Sequence, residues 1–196
     1  GIDVVPPDVN SSGMMFTVVK GQIVFGILGI HGIGEAVVSE IIRERSGPGG
    51  PFKSIDDFLE RIDLRTVNKK AIENLVLAGC FDRITPSRKS VMDHLEQLLA
   101  VAVAKKDGKK FGQSGLFDDA PQEEFPTIQL DAEEYDLLDK LKSEKELLGN
   151  YFSGHPLDKF RNEWDRATSL DLSRPDHADT EIRDNLVCII QAFRVQ

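Results

Sequence analysis

Ile30-His31-Gly32-Ile33-Gly34 runs straight into the apolar-periodic stretch Glu35 to Arg45, and the reading of these residues decides the fold. Two glycines around one hydrophobe at a helix start form a sharp, side-chain-poor turn, with Ile33 expected to point inward. The first amides of the following helix lack intrahelical acceptors and, with the helix dipole, make a site for an anion such as a phosphate diester. Glycine lets the phosphate approach the backbone and accepts positive φ. A Gly-rich helix N-cap with no ligand is the alternative reading of so short a motif.

Outward from this turn the pattern is mainly helical. Val37, Val38, Ile41 and Ile42 share one face of the first helix, which stops at Ser46-Gly47-Pro48-Gly49-Gly50-Pro51. Ser54 with Asp57 forms a capping-box pattern for a short helix carrying Ile55, Phe58, Leu59 and Ile62. A third helix is expected over Lys69 to Leu77, ending at Gly79. Pro86 suits the first turn of a fourth, with Val91, Leu95, Leu98, Leu99 and Ala102 in register, ending in the run Lys105 to Lys110 as a solvated helix end. Residues 111–130 have loop composition, and Asp131 is expected to cap a charged helix through Leu148, closed by Gly149. Short β elements flank this core: a strand-like phrase at Ile2 to Pro7, a hairpin of Met15–Val19 and Gln22–Phe25 around Lys20-Gly21, and a strand over Leu186 to Val195. Ser153 to Asp184 is polar, with Phe160 and Trp164 as expected anchors, and both ends read as cut.

The chain has 196 residues, 40% hydrophobic and 29% charged, enough for a sizeable core in one domain or two small ones. No apolar run approaches the ~20 residues of a membrane span and no leader pattern precedes Gly1. Cys80 and Cys188 lack metal or CxxC spacing, which favours reduced thiols in a cytosolic protein. The net charge of −9 argues against nucleic acid until it is divided: residues 1–112 hold 15 Lys+Arg against 14 Asp+Glu, and residues 113–196 hold 9 against 19. Any DNA affinity therefore belongs to the first part.

A second turn, Leu64-Arg65-Thr66-Val67-Asn68-Lys69-Lys70, again leads into an amphipathic helix. It lacks the Gly-hydrophobe-Gly core but supplies Arg65, Thr66, Asn68, Lys69 and Lys70 at a helix start. Two such turns related by pseudo-symmetry would grip both strands of a duplex across the minor groove without reading sequence. A solvated Lys pair is the alternative, and finding both turns in one helical unit favours DNA. The candidate DNA-binding residues are His31, Gly32, Ile33, Gly34, Arg65, Thr66, Asn68, Lys69 and Lys70.

Phe25 to Gly34, Gly50 to Phe58, Asn68 to Asp82, Gly1 to Asn10 and the pair Glu144–Gly149 and Ser153–Leu157 resemble, in order, the tandem helix-hairpin-helix region of the bacterial replicative C-family polymerases, the DNA polymerase III alpha subunits. The resemblance implies a mainly α fold with short β elements at both ends. It implies the end of the fingers domain at 1–24, the tandem helix-hairpin-helix domain at 25–112, a clamp-binding loop at 113–130, a helical connector at 131–180 and the start of an OB domain at 181–196. Gln113-Ser114-Gly115-Leu116-Phe117 resembles the family's sliding-clamp motif, Gln-x-x-Leu-Phe, with Gly115 where family members often carry a polar or acidic residue. Leu116 and Phe117 would fill a hydrophobic pocket and Gln113 would fix register; in a polar loop, a Leu-Phe pair folded back on its own core is the alternative.

The family's catalytic aspartates and their Mg2+ ions belong to a palm domain upstream of Gly1, so no catalytic residue and no metal ligand is expected here. His155 pairs with no nucleophile and reads as a turn residue at a domain junction. A monovalent cation on hairpin carbonyls is compatible with such motifs. The expected partners are duplex DNA, the sliding clamp and other replicase subunits, with no membrane, in the cytoplasm at the replication fork. The competing readings are a helix-hairpin-helix glycosylase, whose catalytic Asp and downstream order are not matched, and a DNA-binding or protein-interaction module of a repair protein.

Overall fold

Lys20 and Gly21 both take positive φ, 51° and 80°, the backbone that two-residue hairpin turns favour. The computed structural model describes residues 3–112 and 126–160, without the side chains of 109–112 and 159–160. Lys20-Gly21 joins β2 (Thr17–Val19) to β3 (Gln22–Val24) antiparallel, as the sequence predicts. β1 (Val4–Val5) adds to the other side of β3 in parallel, giving the order β1-β3-β2.

Two helix-turn-helix repeats follow. A 3-10 turn at Ile27–Gly29 leads through the first turn into α1 (Glu35–Ser46), and α2 (Ile55–Arg61) leads through the second into α3 (Lys69–Leu77). Val37, Val38 and Ile41 of α1 are buried, and so are Ile55, Phe58 and Leu59 of α2 with Ile62 behind them. At the start of α2, Ser54 Oγ accepts the N–H of Asp57 at 3.2 Å. The return arm of the box falls one residue early, since Asp57 Oδ2 accepts from Lys53 N rather than from the N-cap amide. The end of α3 is a Schellman motif: Gly79 at φ 82° donates to Val76 O, and Cys80 donates to Leu75 O.

The link between the repeats is tied down by polar groups. Asn10 brackets the Phe52 backbone, donating to its carbonyl at 2.8 Å and accepting its N–H at 2.7 Å. Arg45 donates to Val9 O and Ser12 O, and Arg61 donates to Glu44 O and Gly50 O while lying over the Phe52 ring. Phe52, Phe58 and Phe81 then meet edge to face at ring separations of 4.9 and 4.8 Å. Each such buried ring contributes about 1.5–3 kcal/mol relative to exposure.

α4 (Arg88–Gly112) packs Val91, Leu95, Leu98 and Ala102 into this core. Two expectations shift here. Ser87 Oγ accepts the N–H of Ser90, so Ser87 caps α4 and Pro86 lies before the helix. The Lys105 to Lys110 run does fall in the last turns of the helix, which continues to Gly112, but its first lysines are not solvated. Lys105 Nζ meets Glu60 at 2.6 Å and Lys106 Nζ donates to the Ile62 carbonyl, so the run's first two lysines fasten α4 to the end of α2.

The charged helix starts later than expected: α5 is Leu137–Leu148, with Asp136 rather than Asp131 at its N-cap. Residues 131–135 stay non-helical because other partners hold their backbone. Ser90 Oγ accepts from Asp131 N, Glu133 O accepts from Ser87 Oγ, and the Glu134 carboxylate accepts the first amides of α4, Arg88 N and Lys89 N. Gly149 closes α5 at φ 72°, as expected.

Gly1–Ser153 and Gly154–Gln196 are two separate compact units. In the second, a 3-10 turn at Pro156–Phe160 follows His155, whose amide donates to Asp158 Oδ2 at 2.7 Å while its carbonyl accepts Asp158 N. The expected strand at Leu186 to Val195, Trp164, Cys188, the Gln113 to Phe117 loop and the side chain of Phe160 lie outside the described residues.

Candidate nucleic-acid interface

The first turn is built as its sequence demands. Gly32 takes φ 79°, and a Cβ there would also come within 2.6 Å of Asn74 Nδ2, so two constraints keep this position side-chain-free. Ile33 is buried and His31 is exposed. Gly34 is the N-cap of α1 at φ −95°, an ordinary extended backbone, and a Cβ would meet nothing within 4 Å. The fold therefore places no demand for glycine at 34; what its absence of side chain provides is open access to the helix N-terminus.

Not every amide of this turn is available. His31 N donates to Leu147 O at the end of α5, and Ile33 N donates to Ile30 O. The N–H groups of Gly34, Glu35 and Ala36 have no acceptor among the described residues. They form the open N-terminal end of α1.

The second turn reaches a similar end without a left-handed residue. Asp63 organises it: its carbonyl accepts Thr66 N and Val67 N, and its carboxylate accepts Arg65 N and the Thr66 hydroxyl. The Arg65 amide in particular holds the Asp63 carboxyl below its ordinary value. Val67 is buried where Ile33 is in the first repeat, and Asn68 caps α3 through a 2.9 Å bond from Ala71 N to its Oδ1. Asn68, Lys69 and Lys70 are exposed, and their amides are the counterparts of Gly34, Glu35 and Ala36.

Each repeat holds the other's turn. Asn74 of α3 donates to His31 O at 3.1 Å, and Glu40 of α1 accepts Asp63 N at 2.8 Å. Aligned on the N-caps Gly34 and Asn68, Glu40 and Asn74 occupy the same helical position. Both are buried polar residues, and Glu40 is kept ionised, below its ordinary value, chiefly by the Arg43 guanidinium. The one signal for them in the sequence was the match of Val37-Val38-x-Glu40-Ile41 to Ala71-Ile72-x-Asn74-Leu75, with a polar residue inside each apolar face.

The two lysines of the second turn are engaged. Lys69 Nζ meets Glu96 of α4 at 2.6 Å, a contact that raises the Lys69 ammonium and lowers the Glu96 carboxyl. Lys70 sits 3.4 Å from Glu73. Both pairs are solvent-exposed, so their lysines can be drawn to a stronger anion at small cost. Beside the Lys69–Glu96 pair, α3 and α4 leave a shallow groove of about 250 Å³ between Glu73, Met92 and Leu95.

The C-terminal end of α5, which holds the first turn through Leu147 O, is fixed by a buried ionic knot. Arg88 donates twice to Asp82, at 2.9 and 2.7 Å, once to Leu77 O, and meets Glu144 at 3.0 Å. Glu144 also accepts Phe152 N, Ser153 N and the Ser153 hydroxyl. A Cβ on Gly79 would lie 2.3 Å from Arg88 Nη2, so the glycine that ends α3 also makes room for the knot.

Among the described residues no group of three or more His, Cys, Asp or Glu could hold a metal ion, and no helix is long and apolar enough to cross a membrane. Of the carbonyls a cation would meet in the first turn, Ile30 O accepts Ile33 N and His31 O accepts from Asn74. Cys80 is buried, and burial pushes its thiol well above the ordinary value.

A family model described as a helix-hairpin-helix motif matches residues 1–91, which contain both turns. The chain is 36% identical over 198 residues to DNA polymerase III subunit alpha of Treponema pallidum, covering 98% of the chain and 16% of that protein. It is 39% identical over 177 residues to the protein of the same name from Vibrio cholerae, covering 88% and 15%. To that of Thermus aquaticus it is 43% identical over 157 residues, covering 80% and 12%. The chain thus spans about a sixth or less of the relatives it matches.

Proposed function

The chain belongs to the DNA polymerase III subunit alpha family through one segment of it, and from that premise we propose that its two turns hold duplex DNA by the phosphates, without reading sequence. The observation that carries the reading is the repeated pair of helix starts whose first amides have no acceptor among the described residues: Gly34, Glu35 and Ala36 in one repeat, Asn68, Lys69 and Lys70 in the other. Backbone amides and two exchangeable lysines suit a diester anion whose position matters and whose base does not. In a longer chain of this family, the segment would keep the duplex in place while the chemistry, with its Mg2+ ions, takes place in another domain.

Duplex affinity measured against salt tests this directly. Contacts neutralising about four phosphates give a log–log slope near −3.6, from roughly −0.9 per phosphate. Gly34→Glu and Lys69→Glu should each weaken binding. Gly34 is the better probe of the first turn, because any side chain at Gly32 would break the turn itself. A flat salt response, or full binding by the Gly34→Glu/Lys69→Glu double variant, refutes the reading.

We also propose that Gln113-Ser114-Gly115-Leu116-Phe117 binds a sliding clamp, a reading supported by its resemblance to the motif Gln-x-x-Leu-Phe. Joining a clamp contact to a duplex contact on one chain raises the effective concentration of each for the other, which is how a polymerase would gain processivity. Leu116→Ala with Phe117→Ala should abolish clamp binding in solution and leave the circular dichroism unchanged. Retained clamp affinity would overturn this assignment.

A further inference from the structure

We propose that Asn74 and Glu40 are positioning residues that couple the two turns into one two-phosphate grip. This rests on the phosphate reading above and adds to it the means by which two weak sites act together. The bonds run crosswise: Asn74 Nδ2 reaches from α3 to the carbonyl of His31 in the first turn, and Glu40 Oε1 reaches from α1 to the amide of Asp63 in the second. Each bond therefore joins the helix of one repeat to the turn of the other.

The rest of the structure is shaped around these bonds. Gly32 has no room for a Cβ because the Asn74 amide occupies that space at 2.6 Å. The peptide after the Asn74-bound carbonyl lies next to Gly32, and the peptide N–H of His31 is fixed from the other side by Leu147 O. In the second turn, the residue whose amide Glu40 accepts is Asp63, the same residue whose carbonyl and carboxylate fold the turn. Arg43 donates to both oxygens of Glu40 and so keeps the carboxylate ionised and aimed. The separation and relative orientation of the two amide clusters are thus tied to part-buried bonds that end on backbone atoms. Phosphates on two strands stand at fixed spacing, so a rigid separation lets binding at one turn present the second phosphate to the other, through effective concentration.

The experiment is a double-variant cycle on duplex affinity, using the 196-residue chain and a fluorescently labelled duplex of arbitrary sequence. In the native background, Gly34→Glu and Lys69→Glu each forfeit the cooperation between turns, so the double variant loses less than the product of the two single losses. The shortfall should be about fivefold or more. With Asn74→Ala, or with the near-isosteric Asn74→Asp that cannot donate to His31 O, the losses should multiply as if the turns were independent. Glu40→Ala should do the same, while Glu40→Gln, which keeps the acceptor for Asp63 N, should preserve the coupling. A purely structural role would lower the urea midpoint in all of these without changing the cycle. Coupling that survives in folded Asn74→Asp and Glu40→Ala overturns the positioning role and leaves the phosphate reading intact. No loss of affinity from either Gly34→Glu or Lys69→Glu overturns the phosphate reading, and the positioning role with it.

Discussion

Arg88 and Glu144 meet at 3.0 Å with their side chains 5% and 0% exposed, joining the start of α4 to the last turns of α5. Neither charge is left bare: Arg88 also holds Asp82 and Leu77 O, and Glu144 collects two amides and a hydroxyl from Phe152 and Ser153. The first turn depends on this knot at one remove, because Leu147 O takes the His31 amide. Removing one member of such a pair strands the other in the interior. Glu144→Ala should therefore cost about 3 kcal/mol of stability, read from the urea midpoint at constant m. A change within about 0.5 kcal/mol, the range of a surface substitution, would show the knot to be dispensable.

Acid should undo the same knot. Burial alone would raise the Glu144 carboxyl, but the bonds from Ser153 and Phe152 and the charge of Arg88 outweigh it and hold it below the ordinary value. Glu40 is likewise lowered, first by its bond from Arg43. An unfolded Glu titrates at about 4.3, so just below that pH the unfolded chain binds protons that the folded chain does not. The stability these carboxylates contribute is complete above about pH 5 and is lost as pH falls through their lower folded values. Glu144→Gln should flatten the fall of the urea midpoint between about pH 4.5 and 3. An unchanged acid limb assigns the loss to other carboxylates.

Gly34 offers a test in which stability and binding move in opposite directions. Its backbone is extended, its surroundings are open, and it caps α1 without a side-chain bond. Gly34→Asp supplies a capping oxygen and a charge favourable to the dipole, and should stabilise the fold by about 0.5 kcal/mol. The same carboxylate stands where the phosphate would, and duplex affinity should fall about tenfold or more. Thermal melts and anisotropy titrations of one sample read both signs. Affinity that stays level in the stabilised variant would remove α1 from the interface.

On the proposed phosphate contact, Glu96 would compete with DNA for Lys69. The 2.6 Å pair is exposed, so its rupture costs little, but a bound phosphate must still displace it. Glu96→Gln should raise duplex affinity about two- to fivefold at low salt and steepen the salt slope, since one more lysine is free to replace DNA counterions. An unchanged slope would mean that Lys69 stays with α4 in the complex.

The sequence made the local part of this fold legible and hid the part that depends on distant backbone. Gly32-Ile33-Gly34 announces its turn because the positive φ of Gly32 is a local demand, and α3 begins and ends where Asn68 and Gly79 predict. Asp131 misled because its neighbours favour helix, while Ser90, Ser87 and the amides of α4, all contributed from another segment, hold that stretch out of a helix. The Lys105 run read as solvated, since nothing local reveals that Glu60 and the Ile62 carbonyl receive Lys105 and Lys106. The partners of Asn74 and Glu40 were hidden for the same reason: the matching polar positions in the two apolar faces mark the residues, but not the distant backbone that each one meets.

The crossed bonds of Glu40 and Asn74 also bear on how such a module can be inherited. A single repeat moved by gene rearrangement into another protein would carry either a carboxylate left with Arg43 of its own helix or an amide that had lost its carbonyl, and a turn whose backbone had lost its support. The two repeats are therefore portable only as a couple, and duplication or loss in descendants of this segment should occur in whole pairs.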